Sequence, residues 1–304
     1  MTDTRDFVGY GRVPPRAPWP DGARIAVSLV LNYEEGSEQA ILDGDPRSED
    51  TGEATRAQQP GKRDLAMESM FEYGSRVGVW RLLDIFDRQG VPATVFACAV
   101  AVERNPQLAD YLRSASHEVV SHGYRWEEVS TLGEVVEREH IRLAVQSLER
   151  TIGRRPLGWY CRYGPSQYTR RLVVEEGGFE YDCDSYADDM PFLVDVGGRP
   201  WCVVPYALDT NDGRFWGAPH FGPADDFGEY LKDAFDCLYR EGATTPKMMS
   251  VGLHCRIAGR PARSVAVERF VEYAKSHPGV WFARRLEIAR AWRRAFIEAP
   301  SSPD

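Results

Sequence analysis

Residues 25–31 form an apolar run broken only by Ser28, and the run ends abruptly in Asn32-Tyr33-Glu34-Glu35-Gly36. Seven residues with no polar alternation do not suit a strand with one wet face. They suit a strand covered on both faces, as in a parallel sheet wrapped by helices. In α/β barrels the carboxyl ends of such strands face the active site. Two carboxylates delivered there are candidates for acid–base or metal chemistry, and the competing reading of Glu-Glu-Gly is an ordinary solvated turn. Neighbouring strand residues point to opposite faces, so Glu34 and Glu35 share a pocket only if the chain has already turned, which Gly36 makes easy.

The same order of elements recurs along the chain. Residues 73–88 carry Val77, Trp80, Leu83, Ile85 and Phe86 near helical spacing and stop at Gly90; residues 93–98 read as a strand, 105–114 as a helix and 118–122 as a strand ending in His122. Residues 131–152 predict a long helix opened by a Thr131-x-x-Glu134 capping box and closed by Gly153. Helices are expected at 169–176, 227–241, 265–276 and 286–296, and strands at 202–208, 247–253 and 280–282. Asp209-Thr210-Asn211-Asp212 follows one strand, and His254-Cys255-Arg256 follows another. Alternating strands and helices with polar groups behind the strands predict an α/β fold, a parallel barrel-like domain of the TIM type.

With 304 residues, 43% of them hydrophobic, the chain can bury one large core. The expected organisation is an extended N-terminal arm over 1–22, broken by Gly9, Gly11, Pro14, Pro15, Pro18, Pro20 and Gly22, a barrel domain over 23–298 and a flexible tail over 299–304. The polar stretch 37–64 is long for a loop inside a compact domain, which points to function or an oligomer contact. A net charge of −9 argues against nucleic acid, and no apolar run reaches the roughly 18 residues of a membrane helix. The first residues lack a signal-peptide pattern, so a soluble cytoplasmic protein is expected. Six scattered cysteines without a C-x-x-C pair predict free thiols.

The polar residues gathered at strand ends are Glu34, Glu35, His122, Arg162, Asp182, Asp184, Asp209, Asn211, Asp212, His254 and Arg256. Carboxylate, histidine and arginine together are the inventory of a hydrolase: one group takes a proton from water, one returns it to a leaving nitrogen, one holds an oxyanion. A zinc site wants three or four protein ligands, and Trp126 stands four residues after His122, where a second histidine would be needed. No metal or other cofactor is therefore expected; if a metal is held, Glu35 and His122 are its candidates. His117 lies five residues before His122, an odd step that puts the two on opposite strand faces, and His140, His220 and His277 read as structural. A nucleophile at Cys161 or Cys255 would need a base that the sequence does not locate. No G-x-S-x-G and no H-x-E with P-C-x-x-C is present, which removes serine hydrolases and zinc deaminases.

Four motifs, Asn32-Tyr33-Glu34-Glu35-Gly36, Ser121-His122-Gly123-Tyr124-Arg125-Trp126, Leu208-Asp209-Thr210-Asn211-Asp212 and Gly252-Leu253-His254-Cys255-Arg256, resemble the polysaccharide deacetylase superfamily, and within it the bacterial allantoinase branch. The resemblance spans nearly the whole chain. It implies a distorted TIM-like barrel, a homo-oligomer such as a tetramer, and hydrolytic opening of allantoin to allantoate in purine catabolism. Sugar deacetylases of the superfamily carry an Asp-Asp pair and H-x-x-x-H; here Glu34-Glu35 and His122 with Trp126 stand instead, a departure the allantoinase branch shares. On this reading Glu34 or Glu35 activates water, His254 protonates the departing nitrogen, and Arg162, with backbone amides near Gly164, stabilises the oxyanion. His122, Tyr124, Trp126, Asp209, Asn211 and Arg256 would bind the cyclic amide. The alternatives are a metal-dependent de-N-acetylase of sugars and a non-catalytic ligand-binding barrel.

Overall fold

In the computed structural model, which describes residues 5–17, 19–53, 57–217 and 220–298, β1 (Ile25–Tyr33) is buried along its whole length. Its side chains alternate between two apolar layers: Ile25, Val27, Leu29, Leu31 and Tyr33 pack outward against helices, while Ala26 and Val30 face the barrel interior. Around it lie β2 (Thr94–Ala97), β3 (Glu118–Ser121), β4 (Gly158–Trp159), β5 (Tyr181–Asp182), β6 (Phe192–Val196), β7 (Arg199–Val203), β8 (Lys247–His254) and β9 (Val280–Phe282). The sheet runs β6-β7-β5-β4-β3-β2-β1-β8, with β9 paired to the beginning of β1. Every pairing is parallel except the β6–β7 hairpin.

Register brings the strand ends to one level. Asn32 lies opposite His254 on one side and Phe96 on the other, and Ala97 lies opposite Ser121. Glu34, His122 and the turn after His254 therefore emerge at one rim. On the open side, the Gly252 amide donates to the Thr210 carbonyl at 3.0 Å and Asn211 bridges to Gly252, so the segment after β7 reaches β8 and curls the sheet into a distorted TIM-like barrel. Among the described residues no helix is long and apolar enough to cross a membrane.

Several local expectations need correction. The helix expected at 73–88 is a helix Leu65–Tyr73, a π turn Gly74–Gly78 and a helix Val79–Gln89. The extra residue in the turn shifts the phase, so Val77 faces outward while Val79, Leu82, Leu83, Ile85 and Phe86 are buried. Thr131 does not cap the long helix Glu134–Ile152: Gly133 is its N-cap, and the Thr131 hydroxyl donates to the Glu128 carbonyl instead. The strand expected at 202–208 is the second half of a hairpin ending at Val203. The N-terminal arm is irregular and mostly exposed until Ala17 and Trp19 insert into the core. The tail at 299–304 lies outside the described residues.

Candidate active site

At the rim, Glu34 and Glu35 part company. Glu34 lines a cavity of about 160 Å³ together with Asn32, His122, Trp126, Tyr206 and His254. Glu35 turns outward, where its Oε2 accepts the Glu34 amide at 3.0 Å and its Oε1 accepts the Arg256 amide at 3.1 Å. A side chain on Gly74, in the π turn, would overlap the Glu35 carboxyl, so the turn is shaped around it. Burial raises the Glu35 pKa even with Arg256 nearby. Glu35 thus stitches β1 to the turn after β8, and Glu34 is the acid that meets the cavity.

Three nitrogen groups surround Glu34. Arg256 donates to its Oε2 at 2.6 Å; the Nε2 atoms of His122 and His254 lie 3.2 and 3.5 Å from its Oε1. Burial alone would raise the carboxyl pKa, but Arg256, His254 and His122 more than offset it and hold Glu34 well below the usual carboxylate range. His122 Nδ1 lies 3.2 Å from the Tyr160 carbonyl, which can only accept, so that nitrogen is the donor of this contact, and Nε2 is the atom turned toward Glu34.

His254 is held from behind. Its Nδ1 donates to Asp212 Oδ1 at 2.6 Å, while Asp212 Oδ2 accepts the amides of His254 and Ala258 at 2.7 and 2.9 Å. Burial lowers the His254 pKa, yet the carboxylates of Glu34 and Asp212 reverse this and raise it, so the ring holds its proton to higher pH than an ordinary imidazole. Asp212 is fully buried and does for His254 what a triad carboxylate does for its imidazole. It stood among the strand-end residues in the sequence without a role, because nothing in linear spacing shows that the segment after β7 docks against β8.

Aromatic rings and arginines form the far wall. Arg256 sits between Phe71, Trp126 and Trp216, 4.3, 4.9 and 5.3 Å from their centroids, behind Glu34 rather than on the cavity surface. Arg162 lines the cavity, stacked 3.6 Å above Trp126, and Glu49 grips it through two hydrogen bonds of 2.8 and 2.9 Å. Thr51 and the Trp126 carbonyl take further bonds from it, and among the described residues its buried Nε finds no partner. Tyr163, on the cavity wall, has a left-handed backbone with φ 48°, a strained conformation of the kind that gathers at functional sites.

Of the other expected contacts, Trp126 and Asn211 line the cavity, whereas Tyr124 packs against the outer core and Asp209 is exposed in a separate groove beneath the N-terminal arm. Glu49, Tyr160, Tyr206 and Trp216 also belong to the site, and no sequence pattern marks them. The only signal for Glu49 was the unusual length of the polar stretch that carries it.

The residues do not fit a divalent cation. Glu35 and His122 are not brought together: Glu34 meets His122, and a guanidinium takes the second Glu34 oxygen. Trp126 occupies the wall where a further ligand would be needed. Among the described residues no group of three or more His, Cys, Asp or Glu side chains could hold a metal ion. The arrangement offers an oriented imidazole, an anionic carboxylate and a small cavity, the parts that general acid–base hydrolysis uses.

Comparison with known proteins places this geometry among relatives. The polysaccharide deacetylase family profile matches residues 59–181. A Schizosaccharomyces pombe protein provisionally named a polysaccharide deacetylase is 40% identical over 318 residues, covering 96% of this chain and 98% of that protein. The crystal structure of Puue allantoinase superposes with a TM-score of 0.93 at 51% identity, covering 99% of this chain and 100% of the other. That of a probable polysaccharide deacetylase from Pseudomonas aeruginosa PAO1 gives 0.92 at 52% identity, covering 96% and 98%.

Proposed function

The chain belongs to the polysaccharide deacetylase family, hydrolases acting on carbon–nitrogen bonds, and from that footing we propose that it opens a cyclic amide ring, allantoin to allantoate, in cytoplasmic purine catabolism as a homo-oligomer and without a metal. The observation that carries this reading is the Glu34 carboxylate ringed by Arg256, His122 and His254, an acid held by organic cations at the floor of a small cavity. The cavity, about 160 Å³, is below the roughly 300–1,000 Å³ of drug-sized sites and suits one small ring. Full-length similarity to Puue allantoinase supports the same choice.

Water bound between Glu34 and the ring carbonyl attacks the carbon, and Glu34 accepts its proton. Arg162, on the cavity wall, stabilises the oxyanion. As the tetrahedral intermediate collapses, the carbon–nitrogen bond breaks and protonated His254 gives its Nε2 proton to the departing nitrogen. Glu34 then returns the water proton to His254 across their 3.5 Å contact, a transfer favoured by the depressed Glu34 pKa and the raised His254 pKa. The products are the ring-opened acid and a free ureido nitrogen.

Purified protein should be assayed on allantoin, hydantoin and N-acetylated sugars before and after exhaustive chelation. Allantoin opening that survives chelation and is lost in Glu34→Gln is the expected result; absence of turnover on every ring would sink the proposal. The names of the S. pombe and P. aeruginosa relatives favour a second reading, a sugar de-N-acetylase. It predicts acetate release that disappears on chelation and returns with added zinc.

A further inference from the structure

Tyr206, in the segment that follows β7, is buried and is one of the residues that line the cavity with Glu34 and His254. Its Oη accepts two hydrogen bonds, from Asn32 Nδ2 at 2.9 Å and from Asn211 Nδ2 at 3.0 Å. Neither amide can be turned around. Asn32 Nδ2 also donates to the Leu253 carbonyl at 3.1 Å, and Asn211 Oδ1 accepts the Gly213 amide at 2.7 Å; flipping either would set acceptor against acceptor or donor against donor.

Both lone pairs of the phenol oxygen are thus filled, and its one hydrogen remains. No hydrogen-bond acceptor for it is found among the described residues. Burial raises the Tyr206 pKa strongly, so the phenol keeps that hydrogen across the physiological range. Two incoming hydrogen bonds also polarise an O–H group and strengthen it as a donor. The local backbone is built for the cluster: a Cβ on Gly252, in β8, would overlap both Tyr206 Oη and Asn211 Nδ2. A buried donor with its acceptor sites full and its neighbours locked, on a residue that lines a cavity, is arranged to meet an acceptor from outside.

We propose that Tyr206 is a substrate-binding residue whose hydroxyl donates to a carbonyl oxygen of the cyclic amide in this cavity, with Asn32 and Asn211 as positioning residues that fix the direction of its proton. This rests on the cyclic-amide reading above and deepens it. The contact selects rings bearing a strong carbonyl acceptor over equal-sized rings without one, because the latter leave the phenol proton unpaired in a buried place. It is made to substrate and transition state alike, so its loss appears mainly in KM.

The test compares wild type with Tyr206→Phe for allantoin turnover, and for inhibition by hydantoin and by 2-thiohydantoin, whose thiocarbonyl is a poorer acceptor. In Tyr206→Phe, KM should rise about tenfold, kcat should change far less, and the preference for hydantoin over its thio analogue should shrink. Unchanged KM and unchanged preference, with only a lowered melting temperature, would reduce Tyr206 to a strut between β1 and β8 and overturn the proposal. Should Tyr206→Phe not fold, Asn211→Asp supplies the second arm: its carboxylate captures the phenol proton, and the same rise in KM is expected. Wild type that neither turns over nor binds any ring would instead remove the cyclic-amide reading itself, and this contact with it.

Discussion

In the proposed mechanism His254 serves as the acid only because of what lies behind it. Asp212 accepts from Nδ1 and, with Glu34, lifts the imidazole pKa, so Nε2 keeps its proton to higher pH than a free imidazole would. Activity that requires this proton is full below the His254 pKa and falls as pH rises through it. Replacing Asp212 by Asn removes one of the two raising charges, so the alkaline limb of kcat/KM should move to lower pH. The ring also loses its preferred tautomer, for which a drop in kcat of about 10²- to 10⁴-fold is expected, with KM much less affected. A pH–rate profile of Asp212→Asn beside wild type reads both effects; an unmoved alkaline limb would show that His254 is not the titrating acid. At this scale the sequence was informative about residue type and strand position and silent about direction. Glu34 and Glu35 are indistinguishable in a string of letters, and their division of labour depends on β1 ending at Tyr33, so that one acid faces the cavity and the other the π turn.

Elements show the same division between what pattern reveals and what packing decides. Strands buried on both faces were legible because a short, continuous apolar run bounded by polar turns fits little else in an α/β chain, and helices of regular period were legible from their apolar stripe. The π turn at Gly74–Gly78 was not, since one inserted residue rotates all that follows and breaks the stripe on which periodicity relies. Its two glycines show why it exists: Gly74 leaves room for Glu35, and a Cβ on Gly78 would strike the carbonyl of Cys255, between His254 and Arg256. Gly78→Ala should gain roughly 1 kcal/mol of helix propensity, but a backbone overlap has no soft side chain to yield and overpacking costs about 1–3 kcal/mol or more. The clash wins. With the overlap on rigid backbone the cost sits at the upper end, and a net loss of about 2 kcal/mol in urea unfolding is expected. It should be accompanied by reduced activity, since the displaced carbonyl belongs to the turn that carries the acid and the guanidinium. An Ala variant as stable and active as wild type would show that this helix and turn are not interlocked.

Across the whole molecule the cysteines give a readout of how far the barrel behaves as one body. Cys98, Cys161, Cys183, Cys202 and Cys255 are buried free thiols in or just after β2, β4, β5, β7 and β8, so together they sample most of the circumference; Cys237 is exposed on the helix Ala224–Glu241. Burial pushes the thiols of Cys183 and Cys202 up to about 12 and those of Cys98, Cys161 and Cys255 well above the ordinary range. Thiol reagents attack the thiolate, so these five are protected twice, by access and by protonation. The native protein should therefore titrate one thiol with Ellman's reagent at pH 8 and six in concentrated denaturant. Because the sheet, the Gly252–Asn211 closure and the buried Arg285 beneath them share one interior, the five protected thiols should also become reactive together as urea rises, along a single transition that coincides with loss of ellipticity. Early, separate exposure of Cys202 would place the β6–β7 hairpin outside that cooperative unit. Two or more reactive thiols in native buffer would mean that the barrel opens locally far more often than its packing predicts.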